Sequence, residues 1–347
     1  EIYTLSLHDA LPISANDETT TALSQEGREE LYKHMERIRK SGNTVIFISH
    51  DLPEIIEKSD TITILRDGVY IDTVKSKDVN ENDLKKLMVG REVTGDYYRS
   101  DYGEKISDEV VLSAKHVTVP GLIEDVSFDL HKGEILGFGG LSESGMHEIG
   151  KAIFGASYDR EGTVELADGT QINDIPTAIK HSIAYTSKDR DNESVVLNQS
   201  IGDNICLPSL DELSGPAHLI SDKKKKDFAN KFAKQMSVKM VDVNQFVSNL
   251  SGGNKQKVVL ARWIGKDSDI VVLDSPTRGI DIKVKQDIYQ LMNQMRKNGK
   301  SIIMISEELM ELIGMCDRIM IMKDGKISGE LERDQNLDEN GLITMMV

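Results

Sequence analysis

Charged and apolar residues alternate at helical spacing in one early stretch of the chain, which then breaks into short apolar runs. Between residues 25 and 40, Leu31, Met35 and Ile38 fall on one face and charges on the other, the pattern of an amphipathic helix. Gly42 follows as its stop. Residues 44–49 predict a short strand and 53–57 a short helix. Residues 61–73 predict a β-hairpin about Asp67-Gly68, and 83–88 a closing helix. The same succession returns later: residues 17–68 match 274–325 without a gap at a constant offset (274 − 17 = 257). Tyr32 matches Tyr289, Gly42 matches Gly299, and Asp60 matches Asp317. The repeat predicts two copies of one domain, the first without its front part.

Residues 109–119 and 123–130 show strand alternation and open the second copy. Residues 163–166, with Asp168-Gly169, predict a hairpin. Residues 207–265 predict a helical subdomain, whose run 222–226 (DKKKK) is a solvated helix start. Residues 270–274 (IVVLD) form an apolar strand ending in an acid. The resulting division is 1–14, 15–90 (the end of the first copy), a polar connection at 91–108, and 109–347 (the second copy). In the connection Tyr97, Tyr98 and Tyr102 are expected to pack against one domain. Residues 1–14 (EIYTLSLHDALPIS) have neither the basic start nor the long apolar stretch of a signal peptide and are read as a non-native segment. Residues 12–16 are too polar for a buried parallel strand, so the junction is placed near Asp17.

Composition narrows the function. At 347 residues, two domains are expected. The net charge of −16, from 42 basic and 58 acidic residues, argues against binding nucleic-acid phosphates, which requires a basic face. Apolar runs such as 302–305 are far too short to span a bilayer, so a membrane role goes through a partner. Cys206 and Cys316 are read as buried, reduced thiols.

The candidate chemistry lies at three places. Asp17 and Glu18 form an acidic pair: one carboxylate suits Mg²⁺, and its neighbour suits activation of water. His50 stands at the end of the next strand, where it can contact a terminal phosphate. In the second copy, Gly140 to His147 has the spacing of a phosphate-binding loop, but Met146 and His147 replace the lysine and hydroxyl residue, and Glu143 adds a negative charge. Ser251, Gly252 and Gly253 open a helix and present backbone N–H groups to an anion, followed by Asn254 and Gln256. Asp274 ends its strand with Ser275 beside it, and Glu307 takes the position matching His50.

The run 250–256 (LSGGNKQ), followed by the strand ending at Asp274, resembles the signature and Walker B motifs of ABC-type ATPases. The resemblance covers about residues 17–347 and implies an α/β, P-loop NTPase fold with a helical signature subdomain, present as tandem copies. It implies ATP and Mg²⁺ as cofactors. It also implies one composite site that combines Asp17 (metal), Glu18 and His50 (catalysis) with Ser251, Gly252 and Gly253. The second-copy site, with Gly140, Gly145, Met146, His147 and Asp274, is degenerate. Residues 183–190 match a loop that senses nucleotide and faces the membrane subunit, with Lys188 at its usual glutamine position. Tandem halves, LSGGN, and the run 276–281 (PTRGID) resemble ATP-binding subunits of bacterial ribose, galactose and xylose importers. Such subunits dock on transmembrane permease partners at the cytoplasmic face of the membrane, with a periplasmic or lipid-anchored solute-binding protein as an indirect partner. Purine nucleoside import is an alternative, as is a soluble tandem ABC protein on the ribosome. A short acidic connection and one degenerate site argue against the ribosomal reading.

Overall fold

The computed structural model describes residues 3–5, 13–17, 25–49, 52–66, 69–81, 83–84, 87, 97–101, 105–215, 219–334 and 337–346. The chain divides into two compact units, residues 1–95 with 281–283, and 96–280 with 284–347.

The first unit contains β1 (Tyr3–Leu5), β2 (Ile13–Asp17), α1 (Gln25–Lys40), β3 (Thr44–Ile48), α2 (Leu52–Lys58) and the hairpin strands β4 (Thr61–Arg66) and β5 (Val69–Lys75). The helix at 25–40 and the strands after it lie where the apolar spacing places them. The Asp67-Gly68 turn lies outside the described residues, as do residues 85, 86 and 88 of the expected helix at 83–88. The polar stretch before Asp17 is a correction: Ile13–Asp17 is a strand, parallel to β3, with Asp17 opposite Ile48. A ladder is made by backbone groups, and β3 leaves Ile46 and Ile48 about half exposed, at 50% and 56%. Strand β3 therefore lacks the two-sided burial that excludes polar side chains.

The second unit contains β6 (Val110–Val119), β7 (Ile123–His131), β8 (Ile135–Gly140), α3 (Met146–Ile153), β9 (Glu161–Leu166), α4 (Ile175–Lys180) and β10 (Ile183–Thr186). Next come α5 (Ile201–Cys206), α6 (Leu210–Leu213), α7 (Asp222–Gln235), α8 (Gly252–Gly265), β11 (Ile270–Asp274), α9 (Ile282–Lys297), β12 (Ser301–Ile305), α10 (Leu309–Met315), β13 (Arg318–Lys323), β14 (Lys326–Glu332) and α11 (Glu339–Met346). A six-stranded sheet runs β10-β11-β12-β8-β13-β14, parallel except for β14. Every residue of β8, β11 and β12 is buried, the condition under which central parallel strands become continuous apolar runs. A second, antiparallel sheet runs β7-β6-β9. No helix among the described residues is long and apolar enough to cross a membrane.

Six elements recur at the offset seen in the sequence. The strand and helix pairs β2/β11, α1/α9, β3/β12, α2/α10, β4/β13 and β5/β14 have equal lengths and starts 257 residues apart (270 − 13, 282 − 25 and so on). Polar detail recurs too. Tyr32 and Ser49 donate to Glu54 at 2.6 Å each, and Tyr289 and Ser306 donate to Glu311 at 2.5 and 2.9 Å.

The polar connection is partly an anchored arm. Tyr97 and Tyr98 pack on Tyr289, with ring centroids 5.4 and 5.3 Å away; Tyr102 lies outside the described residues. Arg99 is buried, pairs with Asp317 at 2.6 Å and donates to the Met315 carbonyl at 2.7 Å. Asp101 pairs with Arg99 at 3.0 Å, with Arg333 at 3.1 Å, and with Arg296. Burial alone would raise the Asp101 carboxyl, but Arg99 and then Arg296 outweigh it and hold it down to about 2. A depressed carboxylate stabilises the fold above its unfolded value of 3.8, and the contribution is lost as pH falls toward 2. Urea unfolding of Asp101→Asn against the parent is expected to show a gap of about 2 kcal/mol at pH 6 that shrinks between pH 4 and pH 2. A gap independent of pH would contradict this assignment.

Candidate functional site

Strand β8 delivers the chain into a tight loop that ends at α3. Gly145 caps that helix in the left-handed region, with φ 89°. A Cβ on it would approach the Leu122 carbonyl oxygen to 2.5 Å, so both conformation and space require glycine. Gly140 is fixed similarly: a Cβ there would lie 2.7 Å from the Met322 carbonyl oxygen. Both loop glycines therefore serve a turn that packs against neighbouring backbone. Met146, a sequence-level candidate for cofactor contact, is corrected here. It is fully buried in the core, because an apolar thioether at the first helical position gains more from packing than from facing a polar cleft.

His147 follows it and joins the ends of three segments. Its Nδ1 lies 2.6 Å from Asp274 Oδ1, and its Nε2 lies 3.3 Å from Glu307 Oε1 and 3.1 Å from Lys188 Nζ. Lys188 also donates to Glu307 at 2.7 Å, as does Ser142 at 3.1 Å. The second oxygen of Asp274 accepts from the Tyr185 hydroxyl at 3.3 Å. Burial alone would depress the His147 imidazolium, but the hydrogen bonds to Asp274 and Glu307 outweigh it and raise its pKa. His147, with Lys188, holds the Glu307 carboxyl well below the usual carboxylate range. Burial, with Asp274 nearby, pushes the Tyr185 phenol up, which keeps it a hydrogen-bond donor. Lys188 and the imidazole of His147 thus face two carboxylates within a few ångströms.

This cluster forms the floor of an open cleft of about 690 Å³, within the size range of small-molecule sites. Its walls include Lys151, Lys188, Arg190, Gln256, Arg278 and Gly279. One wall is a π-helical turn, Arg190–Ser194, a local geometry that recurs at functional sites. Lys151 pairs with Glu193 at 2.8 Å, and Lys255 with Asp191 at 2.9 Å, so the turn is tied to α3 and α8. Buried Arg262 adds a second tie from α8, donating to the carbonyls of Ser194 and Asn204 at 2.6 and 2.7 Å. Burial lowers this guanidinium to about 10.

The signature residues stand at the start of α8. Ser251 is its N-cap, and Gly252 and Gly253 are its first residues, with no side-chain cap on their N–H groups. Asn254 is used internally, donating to Ser251 Oγ at 2.9 Å and accepting from the Lys239 N–H at 2.8 Å. Of this group only Gln256 lines the cleft. The structure therefore brings together His147, Asp274 and Gln256, and leaves Ser251, Gly252, Gly253 and Asn254 outside it. Asp17 ends β2; Glu18 and His50 lie outside the described residues. Sequence reasoning did not find Ser142, Tyr185 or Glu193 as parts of this site. The only local signal was their placement in the loop after β8, in β10 and in the segment that follows it.

Residues that could hold Mg²⁺ here do not fit it. Asp274 has both oxygens engaged by protein donors, and the position that would offer a hydroxyl carries His147. Ser275, in the left-handed region at φ 48°, has a hydroxyl 3.4 Å from Asp274 Oδ1 and brings no carboxylate.

Comparison with known proteins bears on the family and the fold. The family profile described as ABC transporter matches residues 123–278. The chain is 41% identical over 331 residues to the ribose import ATP-binding protein RbsA of Lactococcus lactis, covering 95% of this chain and 66% of that protein. It is 43% identical over 331 residues to the xylose import ATP-binding protein XylG of Thermoanaerobacter pseudethanolicus, covering 92% and 65%. The chain thus spans a little under two thirds of the length of these relatives. Among solved structures, a dimeric bacterial ABC transporter cassette superposes with a TM-score of 0.57 at 22% identity, over 64% of this chain and 99% of that one, a likeness of fold.

Proposed function

The chain carries an ABC transporter ATP-binding domain, and from that premise we propose that the whole protein hydrolyses ATP to energise import of a monosaccharide. In this reading the chain holds two copies of the domain, the first incomplete, and turnover belongs to the site of the first copy. Asp17 holds Mg²⁺ there, Glu18 activates water, and His50 contacts the terminal phosphate. Ser251, Gly252 and Gly253 serve that same site with backbone N–H groups. These roles rest on the motifs and the repeat. Support for the solute class comes from the ribose and xylose import relatives at 38–43% identity. The observation that carries the asymmetry is the closed His147–Asp274 pair at 2.6 Å, next to Ser275 where the first copy has Glu18. Permease subunits at the cytoplasmic face of the membrane are the direct partners, and a solute-binding protein the indirect one.

Two outcomes follow. The 347-residue chain alone does not turn over ATP, because the first copy's phosphate loop is not in it. In a chain extended to the length of its relatives, Gly252→Asp removes ATPase activity by ~10²–10³-fold, since a carboxylate would face the bound anion at the helix start. Its Cβ would also stand 3.1 Å from Arg190 Nη2. Phosphate release assays check both. Retention of activity in Gly252→Asp would remove the signature from the site.

A further inference from the structure

We propose that the cleft at Asp274 is a metal-free site, in which His147 fills the place a divalent cation would take beside that carboxylate. The inference deepens the reading of this cleft as the degenerate one of two and names the ligand class it admits: a nucleoside phosphate without Mg²⁺.

Three observations carry it. The first is occupancy. A Mg²⁺ ion demands near-octahedral oxygen ligands at about 2.1 Å and keeps several waters. Asp274 is buried, its Oδ1 faces His147 Nδ1 at 2.6 Å, and its Oδ2 faces the Tyr185 hydroxyl at 3.3 Å. The second is charge. Lys188 Nζ stands 3.1 Å from His147 Nε2 and 2.7 Å from Glu307, so an arriving dication would meet a resident ammonium.

The third is independence from protonation. When Lys188 donates to Nε2, the imidazole is neutral and its proton sits on Nδ1, toward Asp274. When the ring is protonated, Nε2–H donates to Glu307, and Nδ1–H still faces Asp274. In either state the carboxylate is satisfied by a protein N–H. A bound phosphate chain would meet Lys188, Lys151, Arg190 and Arg278, which line the same cleft beside Glu148, Asp189, Asp191 and Glu193, and would draw these cations from pairs such as Lys151–Glu193, Arg190–Asp191 and Lys188–Glu307.

The test is equilibrium dialysis of the 347-residue chain against Mn²⁺, a Mg²⁺ stand-in, with ATP at equal concentration on both sides. Parent and Asp274→Asn are expected to retain equal Mn²⁺. His147→Thr, which restores a hydroxyl, is expected to retain one more Mn²⁺ per chain with at least tenfold tighter binding, and Asp274→Asn in that background to lose it. A Mn²⁺ in the parent that Asp274→Asn removes would overturn the proposal, as would a folded His147→Thr that binds no more than the parent. Thermal unfolding checks each variant; His147→Ser replaces one that does not fold, and the parent comparison stands without either. Because the readout is metal retained and not ATP turned over, its failure would leave the assignment of turnover to the first copy untouched.

Discussion

Glutamine in place of Glu18, in a chain extended to the length of the ribose and xylose import relatives, is expected to lower ATP turnover by ~10²–10⁴-fold. The substitution keeps the side chain's shape and, on the proposed assignment, removes the carboxylate that would accept the proton of the attacking water. Nucleotide binding should be nearly unchanged, because Asp17 and the phosphate-binding elements remain, so the loss falls on kcat. The matched control is Ser275→Ala. Ser275 occupies the corresponding position 257 residues later, and its hydroxyl only touches Asp274 at 3.4 Å. Its removal should leave turnover within about twofold, since no transition-state contact is lost. Equal losses in the two variants would mean that both copies hydrolyse ATP.

The second large effect is on stability. Arg99→Met should destabilise the second unit, residues 96–280 with 284–347, by about 3–5 kcal/mol, because it leaves a buried carboxylate without its partner. The Arg99 side chain is 1% exposed and that of Asp317 is 7% exposed. Asp317 also accepts from the Ile135 N–H at 2.8 Å, so the vacated charge would sit against the start of β8, which leads into the candidate site. Asp101 would lose Arg99 as well but keep Arg296 and Arg333, so the uncompensated charge is that of Asp317. Urea unfolding gives the magnitude. A change below about 1 kcal/mol, the worth of a surface pair, would show that the arm is ornamental to the fold.

Much of this molecule is legible along the chain because its signals are local. Helix spacing at 25–40 and the unbroken apolar runs at 270–273 and 302–305 reflect burial of one face or of two, and burial leaves a periodic trace. The repeat was equally plain, since matches at a constant offset of 257 residues need only alignment. The strand Ile13–Asp17 was missed because pairing uses backbone groups, and its polar side chains carry no apolar pattern.

The candidate site was legible in its losses and illegible in what replaced them. Met146 and His147 visibly depart from a lysine and a hydroxyl. That Met146 turns into the core while His147 bridges Asp274 and Glu307 depends on contacts across 127 and 160 residues, which no local pattern encodes. The same holds for Arg99, whose buried partner lies 218 residues on. In the polar connection it reads as one more solvated charge. Long-range polar pairs of this kind are set by the packed fold, so sequence reasoning recovers the residue types present and not their partners.

The most direct measurement is the number of ADP molecules trapped with vanadate per chain, in a protein extended to the relatives' length and turning over ATP. One trapped ADP per chain, abolished by Glu18→Gln and unaffected by Ser275→Ala, is the predicted result. Two per chain, or one that survives Glu18→Gln and disappears with Asp274→Asn, would contradict the assignment of hydrolysis to the first copy.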